Sequence, residues 1–233
     1  LTGRAADLSA MSELLIYGSY GYTGELIAEE ATERGLDPVL AGRDERKLSA
    51  QAAELDCDSV AFDLTDREAV TAALGDATVV CNCAGPFAET YEPMVEAAIE
   101  TGTHYLDITG EIDVFQAVSG YDERAAEAGV MLMSGVGFDV VPTDCLAAHL
   151  AERLPDATHL ALAFEGLADI SPGTAKTMLE YAGEGGVVRR DGLLESVPAA
   201  YRTRRIDFGS GDRSAVTIPW GDVVTGYHTT GIP

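Results

Sequence analysis

Three glycines, each three residues from the next, are the part of this chain whose chemistry is most readily derived. They stand in the run Gly18-Ser19-Tyr20-Gly21-Tyr22-Thr23-Gly24. Glycine allows a tight turn and a close approach of the backbone to a phosphate, and the N–H groups that open a following helix bind anions. Apolar Leu14–Tyr17 precedes the run, and Glu25–Ala31 after it has helical apolar spacing. We therefore expect all seven residues to form the pyrophosphate site of a dinucleotide; a glycine turn in another kind of α/β protein is the alternative.

An arginine follows the second apolar segment, where the ribose of a dinucleotide is expected. Domains that bind NAD usually carry Asp or Glu at this point, and that acid accepts hydrogen bonds from the ribose hydroxyls. Here Pro38–Ala41 leads into Gly42 and Arg43 instead. A guanidinium pairs well with a 2′-phosphate, and Lys47, one helical turn further on, could add a second cation. The sequence therefore predicts NADP in preference to NAD; in the alternative, Arg43 is solvated and Asp44 only caps the next helix.

Two further segments are predicted to line the cofactor cleft because they directly follow strands. Ligands of doubly wound sheets lie beyond the carboxyl ends of the strands. Asp63 and Leu64 follow the third strand and are expected at the adenine. The small residues Ala84, Gly85 and Pro86 follow the fourth strand and would let the nicotinamide ribose approach the backbone. A purely structural glycine-proline turn is equally compatible with them.

Three side chains at later strand ends could give or accept a proton. Tyr105 and Asp107 alternate with apolar residues along the fifth strand, so both face one side at the cleft end. Asp139 lies in the glycine-containing turn after the sixth strand. Such groups could supply the proton that accompanies hydride transfer to a carbonyl or enoyl carbon. Each has a structural alternative: Asp107 could bind helix N-termini, and Asp139 with Thr143 could cap the next helix.

The order of the expected elements is that of a parallel, doubly wound sheet, because strands alternate with helices. After the first two strands, the expected strands cover Ser59–Asp63, Thr78–Cys83, Thr103–Ile108 and Val130–Ser134. The expected helices begin with a capping box at Thr65–Glu68 and continue at Met94–Ile99, Ile112–Ala128 and Val141–Leu154. The sequence therefore predicts a Rossmann-type α/β domain over residues 11–154.

Beyond Pro155 the pattern changes to that of an α+β domain with antiparallel strands. We expect a strand at Thr158–Phe164, a capped helix at Ser171–Ala182, and a hairpin of Arg202–Phe208 with Ala215–Pro219. Residues 155–233 are therefore predicted to begin a substrate domain that is truncated at the last residue.

Composition and charge exclude several classes of protein. The 233 residues include 15 basic and 39 acidic side chains, which give a formal net charge of −24. This charge disfavours nucleic acid as a partner and suits a high-salt cytoplasm, where screening reduces self-repulsion; an ordinary acidic mesophilic protein is the alternative. No apolar run is long enough to span a membrane, and residues 1–10 lack the apolar core of a signal peptide. We expect a cytoplasmic protein.

The cysteines and histidines do not form a metal-site pattern. Cys81 and Cys83 alternate along a predicted strand and share a face, but no second pair stands at ligand spacing. Four cysteines in a chain of this length do not make a disulfide framework. Five of the thirteen arginines fall between Arg189 and Arg205. They could attract an anionic substrate, or protect an exposed strand edge from aggregation. We expect no metal.

Several separated motifs together resemble one family. In chain order they are G-S-Y-G-Y-T-G, L-A-G-R-D-E-R-K-L, C-A-G-P-F, G-T-H-Y-L-D-I-T-G-E and G-V-G-F-D-V-V-P-T-D. Their order resembles that of the saccharopine dehydrogenase-like oxidoreductases, including the trans-acting enoyl reductase branch. The resemblance covers about Glu13 to Thr177. It implies an NAD(P)-dependent oxidoreductase with a Rossmann domain and a substrate domain whose strands often build a dimer.

We therefore expect an enzyme that transfers hydride between NADP(H) and an enoyl or carbonyl group of a small molecule, working as a homodimer. The alternative is an NADP-binding protein without turnover, in which the cofactor is a structural or sensing ligand. The resemblance also implies cofactor contacts by Gly18, Tyr20–Thr23, Arg43 and Ala84–Pro86. The chain departs from its relatives at Thr90–Pro93, where they commonly have Y-G-E-P.

Overall fold

The structure, a computed structural model, describes residues 12–165 and 185–233 of the chain. These residues form two compact units. The first contains the described residues up to Thr109 together with Gln116–Val136, and the second contains Gly110–Phe115 together with the described residues from Gly137 onward. The domain boundary expected after residue 154 stays a prediction.

A six-stranded parallel sheet forms the centre of the first unit. Its strands are β1 (Ser12–Tyr17), β2 (Val39–Gly42), β3 (Ser59–Ala61), β4 (Ala77–Asn82), β5 (His104–Asp107) and β6 (Leu132–Met133). They lie in the order β3-β2-β1-β4-β5-β6, so the strand order reverses between β1 and β4. The predicted Rossmann-type sheet is confirmed, and its topological switch point lies beside the glycine run.

Helices connect the strands, as the alternating pattern predicts. They are α1 (Tyr22–Glu33), α2 (Glu45–Leu55), α3 (Arg67–Gly75), α4 (Phe87–Thr101), α5 (Ile112–Ser119) and α6 (Asp122–Ala128). The single helix predicted over Ile112–Ala128 is two helices, because the N–H of Gly120 closes α5 on the carbonyls of Gln116 and Ala117. The predicted capping box at Thr65 is also wrong: the Asp66 carboxylate caps α3 by accepting the N–H of Ala69 at 3.1 Å.

One apolar cluster holds α1 and α2 against the sheet. Ile16 of β1 and Leu40 of β2 are fully buried and pack with Ala28 of α1 and with Leu48 and Ala52 of α2. Burial of each of the larger side chains stabilises the fold by about 1.5–3 kcal/mol. The glycine run follows β1 and Arg43 follows β2, so this packing fixes their positions relative to each other.

Among its described residues from Gly137 onward, the second unit has two helices and two antiparallel hairpins. The helices are α7 (Val141–Arg153) and α8 (Asp222–Thr230), and the hairpins pair β7 (Gly186–Arg190) with β8 (Leu193–Val197) and β9 (Thr203–Asp207) with β10 (Asp212–Val216). Phe115, Val140 and Val224 form a buried apolar cluster in this unit. The predicted hairpin corresponds to β9 and β10, whereas β7, β8 and α8 were not predicted.

Two predictions for the second unit were wrong. Thr158–Phe164 is not a strand, because no strand in the described part of the chain pairs with it. Neither Asp139 nor Thr143 caps α7: its N-cap is Val140, without a side-chain hydrogen bond. The Thr143 hydroxyl lies 3.0 Å from the Val140 carbonyl oxygen and also contacts a carboxylate oxygen of Asp222. The helix predicted at Ser171–Ala182 lies outside the described residues.

Candidate functional site

The glycine run forms a compact turn between β1 and α1. Gly18 has a φ of +80°, in the left-handed region that favours glycine. A Cβ atom on Gly24 would lie 2.2 Å from the Gly18 carbonyl oxygen, so α1 packs this close to the turn only with glycine at position 24. The Gly21 N–H donates to the same carbonyl at 3.0 Å. The turn leads directly into Tyr22 and Thr23, which open α1 and present the N-terminal N–H groups that bind anions.

The turn approaches the loop after β4 at the switch point of the sheet. A Cβ atom on Gly18 would lie 3.0 Å from both the Cβ and the backbone N of Ala84. The Gly18 N–H donates to the Ala41 carbonyl of β2 at 2.7 Å. The predicted phosphate turn and Ala84, the first residue of the predicted nicotinamide loop, therefore lie together in the crevice where doubly wound sheets bind dinucleotides.

Tyr20 connects this turn to the end of β2. Its phenol oxygen accepts the backbone N–H groups of Arg43 and Asp44, both at 3.1 Å. Its ring lies against Gly42, where a Cβ atom would be 2.6 Å from the ring. The Asp44 carboxylate accepts the N–H of Lys47 at 3.1 Å and caps α2, as one interpretation of the sequence anticipated. The carboxylate of Asp44, which is next to Arg43 in the sequence, is thus hydrogen-bonded to the N-terminus of α2.

An open cleft of about 680 Å³ is lined by Tyr20, by the acids Asp44 and Glu45, and by three cations. The cations are Arg43, Arg46 and Lys47. Among the described residues, none of the three forms an ion pair with a carboxylate. Arg46 was not predicted, although its position three residues after Arg43 was a usable signal. A group of unpaired cations in a chain of net charge −24 is suited to a phosphate. We call these three residues the cationic cleft.

Two predicted cofactor residues have side chains that bind within the protein. The Asp63 carboxylate accepts the N–H and the hydroxyl of Thr65 at 2.9 and 2.7 Å, and these bonds, helped by nearby Arg43, lower its pKa. The buried Ser19 hydroxyl donates to the Gln51 side-chain oxygen at 2.8 Å, and the Gln51 amide donates to the Ser19 carbonyl at 2.9 Å. Ser19 therefore fixes the turn to α2 through its side chain. Contact of Asp63 and of half-buried Leu64 with adenine stays a prediction.

Tyr105 and Asp107 meet inside the first unit, and both are completely buried. The Tyr105 phenol donates to Asp107 Oδ2 at 2.9 Å, and the Ser134 hydroxyl donates to the same oxygen at 2.9 Å. Asp107 Oδ1 accepts the N–H groups of Thr109 and Gly135 at 3.0 and 2.8 Å. The carboxylate therefore joins the end of β5 to the loop after β6.

The environment of this pair favours a structural role. Burial raises the pKa of Asp107, and its four hydrogen bonds oppose that rise. Burial, with the Asp107 charge, raises the pKa of Tyr105 well above its usual range. Both side chains are 0% exposed, so neither presents a surface to a ligand. The alternative that Asp107 binds helix N-termini is wrong, because the backbone N–H groups that it accepts belong to loops.

Asn82, which sequence reasoning did not identify, links this pair to the loop after β4. Its side-chain oxygen accepts the N–H of Ala84 at 3.1 Å. Its amide nitrogen donates to the Thr90 hydroxyl at 3.1 Å and lies 3.4 Å from the Tyr105 hydroxyl. The Thr90 hydroxyl in turn donates to the Ala84 carbonyl at 2.7 Å. Side chains of β4 and α4 therefore fix both polar groups of the Ala84 backbone. The available signal was a polar residue at the end of the apolar run Val79–Cys81.

Asp139 belongs to the second unit and lies beside a small aromatic pocket. The pocket, of about 40 Å³, is walled by Phe138, Phe164 and Trp220. The Trp220 indole N–H donates to the Asp139 backbone carbonyl at 2.8 Å, and the Phe164 and Trp220 rings are 5.0 Å apart. Burial raises the pKa of the Asp139 carboxyl. The Asp139 carboxyl has no hydrogen bond to any described residue. In this it differs from the Tyr105 hydroxyl and the Asp107 carboxylate, the other two predicted proton-transfer groups.

Comparison with known proteins identifies related chains. Residues 14–133 match the family model described as the saccharopine dehydrogenase NADP binding domain. A Bos taurus protein named saccharopine dehydrogenase-like oxidoreductase is 32% identical over 151 residues, which cover 56% of this chain and 35% of that protein. A Mycobacterium tuberculosis protein whose name provisionally assigns it as a trans-acting enoyl reductase is 29% identical over 184 residues, covering 72% of this chain and 43% of that one.

A solved structure has the same fold. Apo saccharopine dehydrogenase (L-Glu forming) from Saccharomyces cerevisiae matches with a TM-score of 0.61 and 16% identity, covering 88% of this chain and 49% of that chain. Similarity at this level of identity shows the fold alone. The chain spans 35% and 43% of the length of the two relatives matched by sequence.

Proposed function

The chain belongs to the saccharopine dehydrogenase NADP-binding domain family, and on that premise we propose that it is an oxidoreductase that transfers hydride between NADP(H) and an enoyl or carbonyl substrate. NADP is the cofactor of this family; when bound, its reduced form NADPH supplies the hydride and its oxidised form accepts one. The observation that carries the proposal is the cationic cleft, which Tyr20 joins to the glycine turn. The name of the family does not decide the substrate, and the enoyl or carbonyl group is our proposal.

The residues of the first unit fit a dinucleotide with a 2′-phosphate. Glycine at positions 18 and 24 keeps the turn free of Cβ atoms, so backbone N–H groups at the start of α1 can face the pyrophosphate. Arg43 would pair with the 2′-phosphate, with Arg46 and Lys47 beside it. We propose that the remaining predicted contacts come from the loop after β4 and from the residues after β3. They are Ala84, Gly85, Pro86, Asp63 and Leu64.

We propose Asp139 as the residue that gives or accepts the proton. A carboxyl group whose pKa is raised by burial keeps its proton to higher pH and can donate it to a substrate. The aromatic walls of its pocket, Phe164 and Trp220, would exclude water from that proton. Tyr105 and Asp107 are proposed as positioning residues, since their hydrogen bonds reach the Ala84 loop through Asn82.

We also propose a homodimer in a salt-rich cytoplasm. In the described structure the hairpins β7–β8 and β9–β10 each form a separate two-stranded sheet. Such sheets are marginally stable alone and leave strand edges unpaired, so pairing with a second copy would stabilise them. The net charge of −24 supports the high-salt setting. Within the part of the chain that the structure describes, no helix combines the length and the apolar character needed to cross a membrane.

Turnover distinguishes the enzyme from an NADP-binding protein without activity. The purified chain, in molar KCl, would be mixed with NADPH and a panel of enoyl thioesters, enones, aldehydes and ketones, and NADPH oxidation followed by absorbance. We expect oxidation with at least one compound, and its loss in Asp139→Asn. Asp122→Asn, which changes an exposed acid of α6, serves as the matched control. NADPH binding without oxidation by any compound would favour the non-enzymatic alternative.

A further inference from the structure

Two thiols face each other beside the cofactor crevice. The Sγ atoms of Cys81 and Cys83 lie 3.7 Å apart at the end of β4. The prediction that they share a face of the strand agrees with this distance. The side chain of the residue between them, Asn82, bonds to Thr90 and to the backbone of Ala84. Both cysteines are free thiols.

We propose that Cys81 and Cys83 form an oxidative modification site, which a small hydroperoxide converts to a disulfide, and that this disulfide weakens NADP binding. The first half of the proposal depends only on the thiol pair. The second half rests on the proposed function of the first unit.

The hydrogen bond between the thiols favours ionisation of one of them. It lowers the pKa of Cys81, a shift that burial and the Asp107 charge oppose. The same hydrogen bond, together with burial, raises the pKa of Cys83 well above its usual range. The Cys81 thiolate attacks a peroxide oxygen, the O–O bond breaks, and a sulfenic acid and a hydroxide form; the hydroxide takes up the proton that Cys81 released and becomes the first water. The Cys83 sulfur then attacks the sulfenic sulfur, its proton leaves with the departing hydroxyl as a second water, and the S–S bond forms. Two thiols lose two electrons, and one peroxide is reduced to two waters.

Burial selects for a small oxidant. Cys81 is 5% exposed, and half-buried Cys83 packs against the apolar cluster that contains Ile16 and Leu40. Hydrogen peroxide is close to water in size, whereas a peptide disulfide such as oxidised glutathione is too large to reach a thiol that is 5% exposed. Among the described residues, neither Cys57 nor exposed Cys145 contacts another thiol. The Cys81–Cys83 pair is therefore the intramolecular site that peroxide would oxidise to a disulfide.

Disulfide formation would displace the loop that contacts the glycine turn. An S–S bond is about 2.05 Å long, so the sulfurs, now 3.7 Å apart, must approach by about 1.6 Å. The Cys83 N–H donates to the Tyr17 carbonyl at 2.8 Å, and Asn82 holds the Ala84 N–H at 3.1 Å. Ala84 already lies so close to Gly18 that an added Cβ there would be 3.0 Å away. Movement of residues 81–84 therefore alters the crevice proposed to hold the cofactor.

The test uses the full chain with Cys57→Ser and Cys145→Ser, so that Cys81 and Cys83 are the only thiols left. The protein is treated with hydrogen peroxide, alkylated, and analysed by intact mass and peptide mapping. NADPH affinity is measured before oxidation, after it, and after reduction with dithiothreitol. We expect loss of two hydrogens in a Cys81–Cys83 peptide and a fall in NADPH affinity of at least about tenfold, reversed by reduction. Adding Cys83→Ser should abolish both the mass change and the reversible fall.

The readouts separate the two halves of the proposal from the proposed function. If the reduced protein does not bind NADPH, the proposed function fails, while the mass measurement still tests the modification site. Peroxide treatment that yields no Cys81–Cys83 disulfide would overturn the inference. So would a disulfide that forms completely and leaves NADPH affinity unchanged.

Discussion

Tyr20 and Arg43 are joined by a hydrogen bond of 3.1 Å from the Arg43 backbone N–H to the Tyr20 phenol oxygen. The bond connects the turn after β1 to the end of β2, and the same oxygen accepts the N–H of Asp44. The position of the guanidinium in the cationic cleft therefore depends on a residue of the glycine turn. The turn proposed to bind the pyrophosphate and the arginine proposed to select the nucleotide therefore form one connected structure.

Replacing Tyr20 by phenylalanine tests this connection. Tyr20→Phe keeps the ring but leaves the N–H groups of Arg43 and Asp44 without their acceptor. Since such a hydrogen bond contributes about 1 kcal/mol, we expect NADPH affinity to fall roughly threefold to tenfold, measured by titration calorimetry. Tyr227→Phe is the control, because the Tyr227 hydroxyl has no hydrogen bond in the described structure. Unchanged affinity in Tyr20→Phe would show that the bond does not position Arg43.

Two glycine substitutions distinguish close packing from ordinary helix propensity. In Gly24→Ala the new methyl would lie 2.2 Å from the Gly18 carbonyl oxygen. We expect a loss of roughly 1–3 kcal/mol in the free energy of unfolding and much weaker NADPH binding. In Gly75→Ala the nearest atom is 3.9 Å away, in Thr101, so stability should stay the same or rise by up to about 1 kcal/mol. Equal effects of the two substitutions in denaturant titrations would contradict the packing at position 24.

Asp107 gives a pH-dependent prediction. Because burial raises its pKa above the usual 3.8, the folded chain holds this proton more tightly than the unfolded chain does. The contribution of this group to stability therefore falls as pH rises from about 4 through the raised pKa. Asp107→Asn should cost about 1–3 kcal/mol, since an amide N–H₂ would face donors that a carboxylate accepts.

The cost of Asp107→Asn should shrink as pH is raised above about 4, because the variant lacks the titration that weakens the wild-type fold. Urea unfolding of both proteins at a series of pH values and constant salt measures this difference. A cost that is the same at every pH, or that grows with pH, would mean that the pKa of Asp107 is not raised in the folded protein.

Salt should stabilise this protein. At a net charge of −24, repulsion between carboxylates is reduced as the Debye length falls from about 10 Å at 0.1 M to about 3 Å at 1 M. The ion pairs of the described structure, such as Arg34–Glu30 and Arg205–Asp212, are exposed and contribute little that screening could remove. We expect the melting temperature, followed by circular dichroism, to rise with KCl. A melting temperature that falls over this range would argue against adaptation to salt.

The glycine turn and the parallel sheet could be predicted because their signals are local. The spacing of Gly18, Gly21 and Gly24 follows from the turn itself, and Arg43 lies at the expected separation along the sequence, after the second strand. The contacts of Asn82, Tyr105 and Asp107 could not be predicted in the same way. They join β4, β5 and the loop after β6, so the partners are known only once the strand order is known.

The second unit was harder to predict because tertiary packing outweighs local preference there. Helix α8 contains a glycine and several β-branched residues, which are poor helix formers, yet Val224 packs it against Phe115 and Val140. Thr158–Phe164 shows the converse: it was predicted to be a strand, but no described strand pairs with it. A β pattern without a partner does not form a sheet.

The affinities for NADPH and NADH, measured by calorimetry on the wild type and on Arg43→Ala, test the central claim most directly. We predict that the wild type binds NADPH at least about tenfold more tightly than NADH, since hydrogen bonds to charged groups contribute about 1.5–3 kcal/mol. Arg43→Ala should remove that preference and leave NADH binding unchanged, and Arg34→Ala, an exposed arginine just after α1, should have no effect. Equal or tighter binding of NADH by the wild type would contradict the assignment of the cationic cleft to the 2′-phosphate.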